Sequence, residues 1–109
     1  MLLHNLNEMD SREIVPGFHA RMVHSEHMTF SVWDVEAGAE LPEHAHPHEQ
    51  ISTVLAGTFE FDVGGTSKTL QPGMVVVIPS NIPHSGKALT SCKMLDVFYP
   101  VREEYRSAE

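Results

Sequence analysis

Glycine and proline are spread along the whole chain, and this spacing restricts the fold more than any other feature of the sequence. Seven glycines and seven prolines interrupt the 109 residues. The segments between them are short and β-rich, and none before the C-terminus has a convincing helical pattern. Short strands separated by turns at intervals of roughly 8–12 residues are typical of antiparallel sandwiches and barrels. We therefore predict an all-β fold with two antiparallel sheets.

The clearest strand pattern lies in the middle of the chain. Phe59, Phe61 and Val63 alternate with polar residues, so one face of this strand is predicted to be buried. Gly64 and Gly65 follow at once, and two such residues between strands are typical of a hairpin turn. Further strands are predicted at 28–35, 66–70, 74–78 and 93–99, of which 74–78 is apolar throughout and is expected to be covered on both faces.

The two ends of the chain are predicted to extend one domain that spans residues 1–109, because a chain of this length holds one core of ordinary size. Residues 1–27 are expected to add one or two strands, with Ile14, Val15, Phe18, Met22 and Val23 as their apolar positions. An exposed edge strand has to be covered, often across a dimer, so we expect a homodimer. Residues 101–107 are predicted to hold one short helical turn.

Composition excludes several functional classes. Seven basic against fifteen acidic residues give a net charge of −8, which argues against binding of nucleic acids and anionic membranes. No apolar run approaches the roughly 20 residues that a bilayer requires, and the first residues lack the layout of a signal peptide. The single cysteine, Cys92, rules out an internal disulfide framework and fits a reducing compartment. We expect a cytoplasmic protein with a small-molecule ligand.

Three of the eight histidines fall within five positions. Side chains two residues apart on a strand point to the same side, so His44 and His46 are predicted to face one point. Gln50 shares their parity, and so does His48 if the intervening proline leaves the pleat intact. Glu49 has the opposite parity and joins the others only if that proline shifts the register.

Imidazole is the commonest metal ligand in proteins, and a cluster of two or three ligands with an open position makes a reactive site. His84 follows the irregular loop 79–83 and can reach the same interior. The pattern favours a metal site over a solvated histidine-rich turn, although His84 alone would be read as a loop histidine. The remaining histidines are expected at the surface or at an interface: His4, His19, His24 and His27.

Two spaced sets of residues resemble the motifs of the cupins. The first is Gly38-x5-His44-x-His46-x3-Gln50-x6-Gly57, and the second is Gly73-x5-Pro79-x-Asn81-x2-His84. This resemblance implies a single-domain cupin, a small jelly-roll barrel. It also implies one divalent ion, from Mn, Fe, Co, Ni or Zn, with His44, His46, Gln50 and His84 as ligands.

Three positions depart from the usual cupin pattern, and one of them is Ala88, which stands where a terminal asparagine is often found. Gln50 replaces the usual glutamate, so less negative charge reaches the metal, and this favours Lewis-acid or positioning chemistry over redox chemistry. Asn81 replaces a glycine, which is tolerable because asparagine visits left-handed conformations.

The C-terminal third resembles a narrower group. Residues 95–105, LDVFYPVREEY, are similar to the DVFxPxRxDF ending of the pectin-degradation cupins. Those proteins convert unsaturated monouronates, released by polysaccharide lyases, into linear keto forms. The resemblance implies that Asp96 transfers protons and that Arg102 binds the substrate. The guanidinium of Arg102 suits a uronate carboxylate, and Phe98 suits a pocket wall because sugar C–H faces pack well on aromatic rings. From the residues alone, Asp96 is as readily a solvent-facing side chain, Arg102 a surface ion-pair partner and Phe98 a core residue.

The sequence therefore favours an enzyme that opens and ketonises unsaturated uronates without a redox change. Two alternatives stay open. One is a metal-dependent dioxygenase, since many cupins hold iron with the same histidine geometry. The other is a non-catalytic cupin that binds a sugar or another small molecule. No role is assigned to Trp33, Met74 or Cys92.

Overall fold

The computed structural model describes residues 1–106, and most of them lie in strands. A 3-10 turn (Leu6–Glu8) precedes the strands, and a single helical turn, α1 (Glu103–Arg106), follows them. Within the described range there are ten strands: β1 (Arg12–Val15), β2 (Phe18–His24), β3 (Thr29–Val35), β4 (Glu40–His44), β5 (Glu49–Ala56), β6 (Phe59–Val63), β7 (Thr66–Leu70), β8 (Val75–Ile78), β9 (His84–Ala88) and β10 (Cys92–Tyr99).

The strands form two antiparallel sheets. The larger sheet has six strands in the order β1-β2-β3-β10-β5-β8, and the smaller has four in the order β4-β9-β6-β7. Neighbours in these orders are mostly far apart in sequence, which is the connectivity of a jelly roll. The predicted all-β, double-sheet jelly-roll fold is confirmed.

The core lies between the two sheets, where inward side chains of both meet. Phe18 packs edge-on against Trp33 and against Phe59, with ring centroids 6.4 and 6.3 Å apart. The alternation predicted for β6 is present, since Phe59 and Phe61 are buried while Glu60 between them is exposed. This period-two pattern sets which side chains of each strand reach the interior.

The hairpin between β6 and β7 turns where the sequence predicted. Val63 pairs with Thr66, which leaves Gly64 and Gly65 as a two-residue loop with φ values of +58° and +87°. Two consecutive left-handed residues match the twist of the flanking strands, and glycine adopts them without steric penalty.

The N-terminal residues supply two strands, as predicted. β1 pairs with β2, and β2 pairs with β3, so both extend the six-stranded sheet of their own chain. The helical turn predicted in 101–107 is observed as α1, while Ser107 lies outside the described residues. No helix within residues 1–106 has the length and apolar character needed to cross a membrane.

One strand prediction was wrong in its burial. The apolar run 74–78 was expected to be covered on both faces, but Val75 and Val77 are 56% and 60% exposed. β8 lies at the edge of the larger sheet, where it pairs with β5. Ile78 points inward and is fully buried, whereas the outward valines have solvent on the other side.

Candidate metal centre

Three histidines from two chain segments meet at one end of the smaller sheet. His44 is the last residue of β4 and pairs directly with His84, the first residue of β9. His46 was expected on the same strand as His44, but it lies beyond the end of β4. The reason is that the chain crosses here from the smaller to the larger sheet, through a link that contains Pro47, which has no N–H to donate.

A backbone contact ties this link to the loop before β9. The amide of Asn81 donates to the carbonyl of His46 at 2.8 Å. Asn81 has a φ of +64°, the left-handed conformation that the sequence anticipated for this position. The contact fixes the separation between the two segments that carry the histidines.

The three rings form a compact cluster. Ring centroids are 4.2 Å apart for His44 and His84, 4.9 Å for His46 and His84, and 5.5 Å for His44 and His46. One nitrogen from each ring lies within 4.8 Å of the others. His46 and His84 are buried, and His44 is half-buried.

Backbone carbonyls fix the tautomer of every ring in the cluster. A carbonyl oxygen can only accept, so each Nδ1 carries the proton, and Nε2 of the neutral ring keeps its lone pair for a ligand. The Nδ1 atoms of His44, His46 and His84 lie 2.9, 3.0 and 2.8 Å from the carbonyl oxygens of Pro42, His48 and Ile82, respectively.

Burial favours the neutral form of the His46 and His84 rings. Burial, followed by the positive charge of Arg102, lowers the pKa of His46 to about 4. Burial is also the largest cause that lowers the pKa of His84. Neutral imidazole is the form that binds metal ions, so the cluster is ready to bind at neutral pH.

Two lone pairs in the cluster lack a proton donor among residues 1–106. His84 Nε2 is buried without a hydrogen-bond partner. His46 Nε2 lies 3.1 Å from Gln50 Oε1, and since its own proton is on Nδ1, two acceptors face each other. A buried polar atom without a partner is unfavourable, and a cation at this point satisfies both atoms.

The orientation of Gln50 follows from its other contacts. Its side-chain NH2 donates to Ser52 Oγ at 2.9 Å and to Asp96 Oδ2 at 3.2 Å. The amide oxygen is thereby directed toward His46. Three imidazole nitrogens and an amide oxygen form a donor set that suits Mn, Fe, Co, Ni or Zn, so the residues present fit the predicted metal.

The sequence left open whether His48 or Glu49 joins the histidine cluster, and the structure answers this for both residues. Glu49 points outward and is exposed, so the proline does not shift the register and this carboxylate stays outside the cluster. His48 stays outside the triad too, because it is not among the histidines whose ring nitrogens all lie within 4.8 Å of one another. Its backbone carbonyl nevertheless orients His46, as described above.

Asp96 lies on the inner face of β10, between Ser31 on β3 and Ser52 on β5. The residue as a whole is only partly buried, but its Oδ1 atom is shielded from solvent and has no hydrogen-bond partner within residues 1–106. Burial raises the pKa of Asp96 to about 7. Hydrogen bonds from Ser52 and Gln50 and the charge of Arg102 oppose this rise without cancelling it.

Arg102 is buried, with 8% of its surface exposed, although it follows the last strand. Its guanidinium lies 4.8 Å from the ring centre of Phe98 and 4.4 Å from that of Tyr105. It donates to Glu104 and to the Tyr105 hydroxyl, the latter at 3.3 Å. The ion pair that the sequence offered as the alternative reading of Arg102 is formed with Glu104, but on a buried guanidinium that packs against two aromatic rings.

A cavity of about 240 Å³ connects these groups. Its polar lining includes His44, Gln50, Asp96 and Arg102, and Phe98 and Tyr105 contribute as well. Most of the remaining lining is apolar and comes from inward positions of the core strands, including Phe18, Trp33, Phe59 and Met94. The cavity thus combines a cluster of polar and charged groups with an apolar interior.

Sequence reasoning missed several members of this site. Ser31 and Ser52 are fully buried beside Asp96, and Tyr105 packs on Arg102. The two serines share the inward parity of Trp33 and Gln50 on their strands, a signal that identifies them once the register is known. Trp33, to which no role was assigned, lines the cavity and donates to Ser31 Oγ at 2.9 Å.

Comparison with known proteins agrees with this site. The family described as Cupin domain matches residues 31–98, a range that includes the three clustered histidines, Gln50 and Asp96. No match to a curated protein was found.

Several solved structures share the fold over most of the chain. KdgF from Halomonas sp. is 28% identical, with a TM-score of 0.86 over 91% of this chain and 93% of that one. An RmlC-like cupin from Shewanella frigidimarina is also 28% identical, with a TM-score of 0.87 over 91% and 90%. Salicylate 1,2-dioxygenase from Pseudoaminobacter salicylatoxidans is 19% identical, with a TM-score of 0.75 over 79% of this chain and 26% of that one, which shows a shared fold alone.

Proposed function

The chain belongs to the cupin family, and on that premise we propose that it is a metal-dependent enzyme that converts 4,5-unsaturated monouronates into their linear keto forms. The observation that carries the proposal is the placement of Asp96, whose carboxylate accepts a hydrogen bond from the candidate ligand Gln50 and lines the cavity. The resemblance of residues 95–105 to the pectin-degradation cupins supports it, and so does the similarity to KdgF over nearly the whole of both chains.

The metal would be held by His44, His46, His84 and Gln50. When bound, such an ion supplies Lewis acidity that polarises a substrate oxygen. The reaction rearranges bonds within one molecule and changes no oxidation state overall, so it needs no organic cofactor.

Arg102 is suited to hold the uronate carboxylate. A guanidinium has five N–H donors, and the structure shows two of its nitrogens donating to Glu104 and Tyr105. Donors remain for a ligand carboxylate, which arginine binds in a bidentate manner. The rings of Phe98 and Tyr105 limit the movement of the guanidinium and so fix the direction of approach.

Asp96 would move the proton. As a carboxylate it accepts the proton of the anomeric hydroxyl while the bond between the anomeric carbon and the ring oxygen breaks and the aldehyde forms. It then returns the proton to carbon 4 of the resulting enolate, whose oxygen becomes the keto oxygen. One proton leaves an oxygen and one reaches a carbon, so the step balances. A pKa near 7 suits a group that has to accept and return a proton at neutral pH.

The test follows the absorbance of the conjugated double bond in unsaturated galacturonate, with metal-loaded protein, against the spontaneous rate. We expect faster loss with the wild type and no acceleration with Asp96→Asn, which should keep its metal content. Asp34→Asn, an exposed carboxylate on the neighbouring strand, is the matched control and should retain activity. A wild-type rate equal to the spontaneous one would refute the proposal.

The apolar part of the cavity favours a second candidate. Side chains such as Phe18, Trp33 and Phe59 suit the body of a small apolar acid better than a hydroxylated sugar. This supports an iron-dependent dioxygenase that acts on such an acid, although the neutral Gln50 favours the first proposal. Oxygen consumption by iron-loaded protein with a panel of aromatic acids distinguishes the two. Saturable binding without turnover of either class would instead indicate a binding protein.

A further inference from the structure

The helical turn α1 carries a hydroxyl group that the proposed reaction does not use. Tyr105 lies in this turn and lines the cavity together with Arg102. The ending of the pectin-degradation cupins quoted above has phenylalanine at this position, so the hydroxyl distinguishes this chain from the pattern that it resembles. The aromatic wall of the cavity therefore contains a polar atom that this pattern does not require.

Contacts from several parts of the chain fix the position of Tyr105. Arg12 on β1 donates to its backbone carbonyl at 3.1 Å, and its own amide donates to the carbonyl of Arg102 at 3.0 Å. Its ring centre lies 4.4 Å from the guanidinium carbon of Arg102, and the ring packs edge-on against Phe98 with centroids 6.4 Å apart. The hydroxyl is thus held in place before a ligand binds, which reduces the entropy lost on binding.

The hydroxyl of Tyr105 has one proton to donate, and the contacts within residues 1–106 do not use it. The hydroxyl oxygen accepts from Nη2 of Arg102 at 3.3 Å. No side chain or carbonyl in the same range accepts the phenolic proton. A tyrosine hydroxyl can donate and accept at the same time, so the O–H can still donate to a ligand.

The guanidinium of Arg102 also keeps donors for a ligand. Its Nε donates to Glu104, whose exposed side chain places this contact on the solvent side. Nη2 donates to Tyr105, and Nη1 has no acceptor among the described residues. Unused N–H groups of Arg102 and the O–H of Tyr105 therefore lie side by side at the cavity.

We propose that Tyr105 is a substrate-binding residue whose hydroxyl donates a hydrogen bond to the carboxylate that Arg102 binds. The two side chains then form one carboxylate site with two kinds of donor, a charged guanidinium and a neutral hydroxyl. This inference rests on the proposed function, since it takes the ligand to be the uronate.

The protonation of both partners agrees with this role. Burial is the largest cause that raises the pKa of Tyr105, and the negative charges of Glu104 and Asp96 add to the rise, so the phenol keeps its proton at neutral pH. Burial also raises the pKa of Asp96, and the charge of Arg102 opposes that rise. A neutral donor strengthens the carboxylate site without a second positive charge that would lower the pKa of Asp96 further.

The first experiment measures by calorimetry how the metal-loaded chain binds galacturonate, a saturated uronate without the double bond that the reaction consumes. Tyr105→Phe should bind it roughly 10- to 100-fold more weakly, the loss expected for one hydrogen bond to a charged group. The methyl ester of galacturonate has no charged carboxylate, so the same substitution should weaken its binding only about threefold. Equal losses for the acid and the ester would indicate a general disturbance of the site and would overturn the proposal.

Tyr99→Phe is the matched control, because Tyr99 is the other of the two tyrosines and is 56% exposed at the end of β10. It should bind both ligands as the wild type does. This variant also leaves Tyr105 as the one tyrosine of the chain, so the Cζ NMR signal of isotope-labelled tyrosine then reports Tyr105 alone. Saturating galacturonate should shift this signal. An unchanged signal in the ligand-bound protein would overturn the proposal even if Tyr105→Phe failed to fold.

The turnover assay separates this inference from the proposed function. Tyr105→Phe should raise KM for the unsaturated uronate and leave kcat nearly unchanged, because the contact is made equally in the ground state and the transition state. Weaker galacturonate binding by Tyr105→Phe, together with a wild type that shows no turnover, would support the carboxylate site and refute the proposed reaction. Turnover with the same KM and the same galacturonate affinity in both proteins would overturn the role of Tyr105 alone. A wild type that neither binds galacturonate nor shows turnover would overturn both.

Discussion

Gln50 connects the candidate metal ligands to the candidate proton-transfer residue. Its amide oxygen faces His46, and its amide nitrogen donates to Asp96 and Ser52. A glutamate at this position would bring a negative charge to the metal but would lose the donor to Asp96. The neutral amide therefore exchanges metal affinity for a hydrogen bond that stabilises the Asp96 carboxylate.

We predict that Gln50→Glu tightens the binding of divalent metal by about tenfold, because a charged ligand replaces a neutral one. The same change should slow uronate turnover, because two carboxylates then compete for one site and the pKa of Asp96 rises further. Competition with a chelator measures the affinity. Gln71→Glu, in an exposed turn, should leave both quantities unchanged, and weaker metal binding in Gln50→Glu would contradict the assignment of this ligand.

The sequence predicted the metal cluster better than it predicted its surroundings. Parity placed His44, His46 and Gln50 together, and motif spacing added His84. The buried Ser31 and Ser52 were missed because a serine in a strand is equally common on a solvated face. Their importance depends on the pairing of β3, β10 and β5, which local sequence does not encode.

At the level of elements, the strands and turns followed from local patterns, while the burial of β8 did not. An apolar run predicts that its side chains are buried, but it does not show which other part of the structure buries them. For Val75 and Val77 the cover is absent in one copy of the chain. The N-terminal strands extend the sheet of their own chain, and their expected use in a dimer stays a prediction.

The turn between β5 and β6 offers a test of backbone geometry. Gly57 has a φ of +85°, and a Cβ atom there would lie 2.1 Å from the carbonyl oxygen of Ser91. We predict that Gly57→Ala lowers the free energy of unfolding by about 2 kcal/mol or more, through the clash in addition to the left-handed strain. Urea denaturation measures the change.

Gly65 provides the control for that prediction. Its φ of +87° is nearly the same, but a Cβ atom there would meet nothing within 4 Å. Gly65→Ala should therefore show the strain alone, about 1 kcal/mol. Equal losses in the two variants would mean that the contact with Ser91 does not restrict this turn.

At the level of the whole molecule, the site contains groups whose pKa values burial shifts in opposite directions. Burial lowers the pKa values of His46, His48 and His84, so these rings resist protonation in the folded chain. Burial raises the pKa of Asp96, so this carboxyl retains a proton in the folded chain that it has lost in the unfolded one. The stability of the metal-free protein therefore contains contributions that change with pH in opposite directions.

The histidine contribution is lost as the pH falls below the unfolded value of about 6.5, because the unfolded chain then binds more protons. The Asp96 contribution is present at low pH and is lost as the pH rises toward 7. The contributions of His46 and Asp96 largely offset each other, and the lowered pKa values of His48 and His84 add to that of His46, so the metal-free wild type should become more stable between about pH 4 and pH 6.5.

Asp96→Asn removes the opposing contribution, and we predict that the stability of this metal-free variant rises more steeply over the same pH range. Urea denaturation at several pH values between 4 and 7, with metal removed by a chelator, measures both curves. Asp34→Asn should run parallel to the wild type, because that carboxylate is exposed. If the Asp96→Asn curve also ran parallel, Asp96 would have to be ionised in the folded metal-free chain at acidic pH. The pKa of Asp96 would then lie too low for a group that has to accept the proton of the anomeric hydroxyl at neutral pH, so a stability measurement without substrate tests the same property of Asp96 that turnover requires.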